Sequence, residues 1–167
     1  MMKKVLFAIL ALALISCSKI SQSDLQGDWT VDSIKLQEIT ANTDSGWNTE
    51  MAISPIFFVG ETLTISKSNI IPCPTASSMV NGYDDYPGYI NYSLAGNKLV
   101  IPEQHYSYYR IDGNGDVSAG EINFRAMKFE VGIAGNEMDL IGKFEETDNL
   151  GNVKKRVNVM IDLSRTK

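Results

Sequence analysis

The chain is poor in the residues that most catalytic and metal chemistry requires. Its 167 residues include a single histidine, His105, and two cysteines, Cys17 and Cys73. That leaves little for a structural zinc site or a Cys/His nucleophile pair. There is no glycine-rich phosphate loop and no Ser/His/Asp set. Carboxylates do stand side by side, as at Asp84 with Asp85 and Glu145 with Glu146. Adjacent residues of an extended chain point to opposite sides, however, and make poor acid/base pairs. The chain is therefore not read as an enzyme, and no catalytic residue is assigned. Positive charge is also in deficit: 15 Lys+Arg against 20 Asp+Glu leave a net charge of -5. Phosphate backbones want the opposite sign, so nucleic acid is excluded as a partner. The longest apolar run, Val5 to Ile15, makes a helix of about 16 Å, too short for a bilayer core of about 30 Å.

What that run does resemble is an address. Met1-Met2-Lys3-Lys4 is a short cationic start, and the apolar stretch after it completes the pattern of a secretory signal. It ends in Leu14-Ile15-Ser16-Cys17, which resembles the lipobox of bacterial lipoproteins. The resemblance implies cleavage before Cys17 and acylation of that residue with palmitate-like chains. Each buried CH₂ contributes about 0.8 kcal/mol, so two or three chains hold a protein on a membrane stably. The alternative is an ordinary cleaved signal with Cys17 as a bystander. The expected organisation is a signal peptide over 1–16, a lipidated tether over 17–24 and one β-barrel domain over 25–167. The run of acidic residues that marks surface export in several bacterial groups is missing after Cys17. The expected location is the outer membrane, facing the periplasm, with the cell surface left open. Cleavage leaves Cys73 as the one other thiol, so the domain has no internal disulfide. Between two prolines and apolar neighbours, Cys73 reads as a small buried hydrophobe, the alternative being a reactive thiol.

Beyond residue 24 the hydrophobic pattern alternates. Val153, Lys155, Val157, Val159, Ile161 and Leu163 share one parity against a polar set, the signature of a strand with one buried face. Strands are expected at roughly 27–38, 52–59, 61–66, 88–94, 97–102, 105–111, 121–134, 137–146 and 152–164. Within 121–134 the apolar parity flips between Ala126 and Met127, which predicts a β-bulge, and Gly132 fits the same bend. Two near copies, Leu94-Ala95-Gly96-Asn97-Lys98-Leu99 and Ile133-Ala134-Gly135-Asn136-Glu137-Met138, predict tight hairpins. Short strands joined by hairpins imply an all-β, antiparallel, up-and-down barrel of eight or nine strands. At the start of the domain, Leu25-Gln26-Gly27-Asp28-Trp29 resembles the Gly-x-Trp opening of lipocalins and related calycin barrels. The resemblance implies a lipocalin-like fold in which Trp29 closes one end of the barrel. The other lipocalin motifs and a carboxy-terminal helix are missing.

Two constellations are candidate sites. Arg110 to Glu121 resembles an EF-hand calcium loop in its spacing, but puts Arg110 where the first acidic ligand belongs. It is read either as a plain Asp-Gly-Asn-Gly turn or as a calcium loop using Asp112, Asn114, Asp116 and Glu121. Tyr83, Tyr86 and Tyr89, beside Asp84 and Asp85, together with Trp29 and Trp47, are the candidate ligand-binding aromatics. No cofactor is expected beyond the lipid on Cys17 and this calcium option. The first functional expectation is a membrane-anchored barrel holding a small apolar or amphipathic ligand. The second is an acidic protein–protein interaction or inhibitor module with a packed core, and glycan capture by the tyrosine loop is a third. The state of the interior separates the first two: a barrel filled with side chains has no room for a ligand.

Overall fold

The computed structural model describes residues 20–39, 46–53, 56–75, 87–124, 126–147 and 153–166. A one-turn helix, α1 (Gln22–Leu25), leads into the long strand β1 (Gly27–Ile39). β2 (Asn48–Glu50), β3 (Ala52–Ile53) and β4 (Phe57–Phe58) are short, and β5 (Thr62–Ile65), β6 (Asn69–Ile71), β7 (Ile90–Asn91), β8 (Ser93–Ala95) and β9 (Lys98–Ile101) follow. The chain then makes β10 (Gln104–Ile111), β11 (Val117–Phe124), β12 (Met127–Ala134), β13 (Glu137–Thr147) and β14 (Val153–Arg165).

The main sheet runs β7-β6-β5-β1-β14-β13-β12-β9-β8, with β2 added beside β1. Its two outer strands are separated in the chain by Tyr92 alone, so one bent segment pairs with β6 on one side and β9 on the other. The sheet thereby curls into a nearly closed barrel. All the pairings are antiparallel, and the last strand, β14, returns to the first. This is the expected all-β, lipocalin-like, up-and-down barrel, which removes nearly all exposed edges.

Alternation decides what faces inward. Val157, Val159, Ile161 and Leu163 of β14 are buried, as are Met127, Phe129 and Val131 of β12. In β1 a register shift between Val31 and Ser33 lets Trp29 and Val31, then Ile34, all point inward despite their change of parity. The Gly96-Asn97 and Gly135-Asn136 turns both form, with the glycines at φ 66 and 64, a region that costs other residues strain.

Three expectations need correction. The single strand over 52–59 is instead the small β3–β4 hairpin, with Ala52 opposite Phe58. The long bulged strand over 121–134 is two strands, because the parity flip marks where the chain leaves β11 and enters the barrel as β12. β6, lying between serines and an Ile-Pro pair, was not expected. The folded body also reaches back into the expected tether. Ile20 packs against the core, and the Ser21 N–H and hydroxyl donate to the Asp24 carboxylate at 2.8 and 2.7 Å. Those hydrogen bonds, first the hydroxyl and then the backbone, hold the Asp24 carboxyl below its ordinary value.

Candidate functional site at the loop end of the barrel

The barrel has two unlike ends. At one, the register places the start of β1, the end of β14 and the turns at 66–68, 96–97 and 135–136 together. Trp29 lies there, fully buried, its indole N–H donating to the Leu25 carbonyl at 2.7 Å. Arg165 covers it: the guanidinium stands 4.5 Å from the ring centre and donates to the carbonyls of Asp24 and Gln26 at 2.8 and 3.0 Å. Gly27 has φ 131, and a Cβ there would lie 2.8 Å from Arg165 Nη1. The Gly-x-Trp spacing thus has a physical basis: the glycine makes the bend and leaves room for the arginine that seals the tryptophan. Nothing in the sequence reading singled out Arg165. Its signal is only a cation closing the last strand.

Among the described residues, large apolar side chains fill the interior next to this end. Val31, Ile34, Leu99, Met138 and Ile161 have no accessible surface, and Leu63 and Leu140 keep only 1%. A side chain lining a ligand cavity would expose surface to it, and these do not. Toward the loop end, Phe57 of the β3–β4 hairpin packs edge-on against Phe129, with ring centres 6.0 Å apart. Cys73 is buried nearby. Its burial pushes the thiol up, reinforced by the Glu61 charge and opposed by a Phe58 hydrogen bond, so the group stays protonated and inert at neutral pH.

From the loop end β10 and β11 leave the barrel as a separate two-stranded sheet. Its root is locked into the core: Tyr106 and Phe124 are buried, edge to face with ring centres 5.5 Å apart. The Tyr106 hydroxyl donates to Gln104 Oε1 at 3.1 Å, and the same oxygen accepts the Asn91 N–H at 2.9 Å. The far half of the hairpin behaves differently. Ile111 and Val117 are directly opposed and are 62% and 58% exposed, and Tyr109, two residues before Ile111 on the same strand, is 60% exposed. Three large apolar side chains on one protruding ribbon are a feature of interaction surfaces.

The hairpin tip carries the calcium-loop candidates. Asp112 Oδ1 accepts the backbone N–H groups of Asn114 and Asp116 at 2.8 and 3.0 Å, and Asp112 N–H donates to the Asp116 carbonyl at 3.0 Å. The carboxylate holds the turn, while Glu121 lies further along β11 opposite Ser107. Among the described residues no group of three or more His, Cys, Asp or Glu stands close enough to hold a metal ion. The aromatic candidates are scattered. Trp29 is in the closed end, and Trp47, 45% exposed, precedes the point where β2 meets Leu36, about 20 Å further along β1. Tyr89 is half-buried at the hairpin root, its carbonyl 3.5 Å from the Tyr106 hydroxyl. Tyr83 and Tyr86 lie outside the described residues, as does Cys17.

No family model and no curated protein matches the chain. Among the described residues no helix is long and apolar enough to cross a membrane.

Proposed function

We propose that the chain is a lipid-anchored interaction module of a bacterial envelope, tethered through Cys17 at the closed end and presenting the β10–β11 hairpin to a partner protein. The observation that carries this reading is the exposed Ile111–Val117 pair on a ribbon whose root is locked by Tyr106 and Phe124. A rigid root lowers the ordering cost of docking, and the apolar face supplies the surface to be buried. The tip adds Asp112 and Asp116, so the fitting partner has an apolar cleft with a basic rim. The tight interior favours this reading over capture of a small apolar ligand inside the barrel.

The anchor supports the same arrangement. Ile20 already packs against the core, and Cys17 stands three residues before it, within about 10 Å of fully extended chain. A lipid on Cys17 holds the closed end against the bilayer and leaves the hairpin at the far end.

Two experiments test the halves separately. Incorporation of labelled palmitate is expected in the native chain and lost in Cys17→Ala; equal labelling refutes the anchor. A photo-crosslinking residue at position 117 is expected to trap one discrete partner in cells, abolished by Ile111→Asp. The same probe at Glu137, at the closed end, should not trap it. Equal adducts at both positions, or none at 117, refute the docking role.

A further inference from the structure

A second surface lies on the barrel wall, on β9, β12 and β13. Alternation along β9, β12 and β13 turns Lys98, Val100, Lys128, Glu130, Ile141 and Lys143 outward, around a groove of about 510 Å³. Ile141 is 43% exposed within it. The β12–β13 ladder ends at Phe129 opposite Gly142, and the next residue on each strand, Lys128 and Lys143, lines the same groove. Two like charges lining one groove are unfavourable unless something neutralises them.

The protein supplies little that does. Glu145, two residues from Lys143, accepts from Arg156 Nε at 2.8 Å. Asp162 is held by Lys35 at 3.1 Å and by the Ser33 hydroxyl. Lys155 is bound to Glu38 at 2.7 Å. Among the described residues no ion pair includes Lys98, Lys128 or Lys143. The remaining carboxylate of the groove, Glu130, is the register partner of Lys98. The positive excess is therefore concentrated at Lys128 and Lys143, in a chain whose net charge is -5.

We propose that this groove binds a small anionic amphiphile, with a carboxylate or phosphate-monoester head between Lys128 and Lys143 and its aliphatic part over Ile141 and Val100. The volume lies within the range of about 300–1,000 Å³ typical of small-molecule sites. Glu130 restricts the site to one head group, because a second anion along the groove would meet its carboxylate. This site is independent of the hairpin: its residues lie on the barrel strands and none belongs to β10 or β11.

The test uses residues 18–167, which contain every described residue from Ile20 to Thr166. They are titrated with decyl phosphate below its micelle concentration, and separately with decanol and with inorganic phosphate. Binding is followed by calorimetry and by the methyl resonances of Ile141 and Val100. Decyl phosphate is expected to bind one-to-one and shift both methyl signals. The double variant Lys128→Gln/Lys143→Gln is expected to bind about tenfold more weakly. Its thermal midpoint should be equal or higher, because the like-charge pair is gone. Raising salt from about 50 to about 500 mM should also weaken binding. Equal affinity for decanol or for inorganic phosphate overturns the proposal, as do unchanged affinity in the double variant and unmoved Ile141 methyls. Capture by anionic phosphatidylglycerol vesicles without any response to decyl phosphate assigns the lysines to a membrane surface instead, and overturns it too.

Discussion

Replacing Gly142 with alanine should damage the barrel far more than the same change at Gly132, ten residues earlier on the neighbouring strand. Both glycines lie in strands, and neither has a positive φ, so the contrast is one of space alone. Gly142 faces inward opposite Phe129, whose ring lies across it. A Cβ at 142 would stand 2.6 Å from the Lys128 carbonyl oxygen and 2.7 and 3.1 Å from two Phe129 ring carbons. The oxygen is backbone and cannot rotate away. The ring is itself packed against Phe57. Overpacking a tight core costs about 1–3 kcal/mol, and a clash against backbone belongs at the upper end. At about 2–4 °C per kcal/mol for a chain of this size, Gly142→Ala should lower the thermal midpoint by about 6–12 °C. At Gly132 the nearest atoms are those of Asp139, at 3.8 and 3.9 Å. Gly132→Ala is thus expected to be neutral, or stabilising by up to about 1 kcal/mol through the entropy that glycine loses on folding. Calorimetry and urea unfolding of both variants measure the difference. Equal stability in the two would refute the claim that the interior is filled at this level.

Arg165→Ala removes the cover of Trp29 and should cost about 1–2 kcal/mol, with a red shift of tryptophan fluorescence. An unshifted spectrum would mean the guanidinium does not seal that end. On the hairpin, Phe124→Ala should cost about 3–5 kcal/mol, because it empties a fully buried site. Ile111→Ser should change stability by less than about 0.5 kcal/mol, so a large loss there would place Ile111 in the core instead of on a docking face. Burial, then the charges of Asp162 and Glu137, raise the Asp139 carboxyl above its ordinary value of 3.8, against the pull of Lys35. The folded state then holds the proton more tightly than the unfolded one. Stability from this group is full below 3.8 and is lost as pH rises through the raised folded value. Asp139→Asn should therefore stabilise the protein at neutral pH, by only a few tenths of a kcal/mol given its solvent screening, with the gain vanishing in acid. A gain that persists at pH 3 would contradict the sign.

Much of the barrel was legible without coordinates, because a strand buried on one face writes its orientation as alternation. Val157, Val159, Ile161 and Leu163 show it, and so do the twin Ala-Gly-Asn turns, where a tight hairpin needs positive φ. The readings failed where the local signal was too short or two-sided. β6 has three residues, and the parity flip near Ala126 fits a bulge as well as a break between strands. The candidate site was less legible still. Asp112 and Asn114 read as turn formers first and as metal ligands second, since both uses require the same oxygens at the same spacing.

The sequence by itself determined the all-β class, and it gave the cleavable address ending at Cys17 and the lack of a nucleic-acid partner as expectations, because each depends on local pattern or total charge. Only the tertiary structure decided what depends on residues far apart in the chain. Arg165 meets Trp29, Phe57 reaches Phe129, and Lys128 and Lys143 line one groove only once the strands are in register. The same is true of the hairpin, whose Tyr106 and Phe124 enter the core while Ile111 and Val117 stay in water. Alternation says which residues share a face, but only the packed barrel says which face finds a partner.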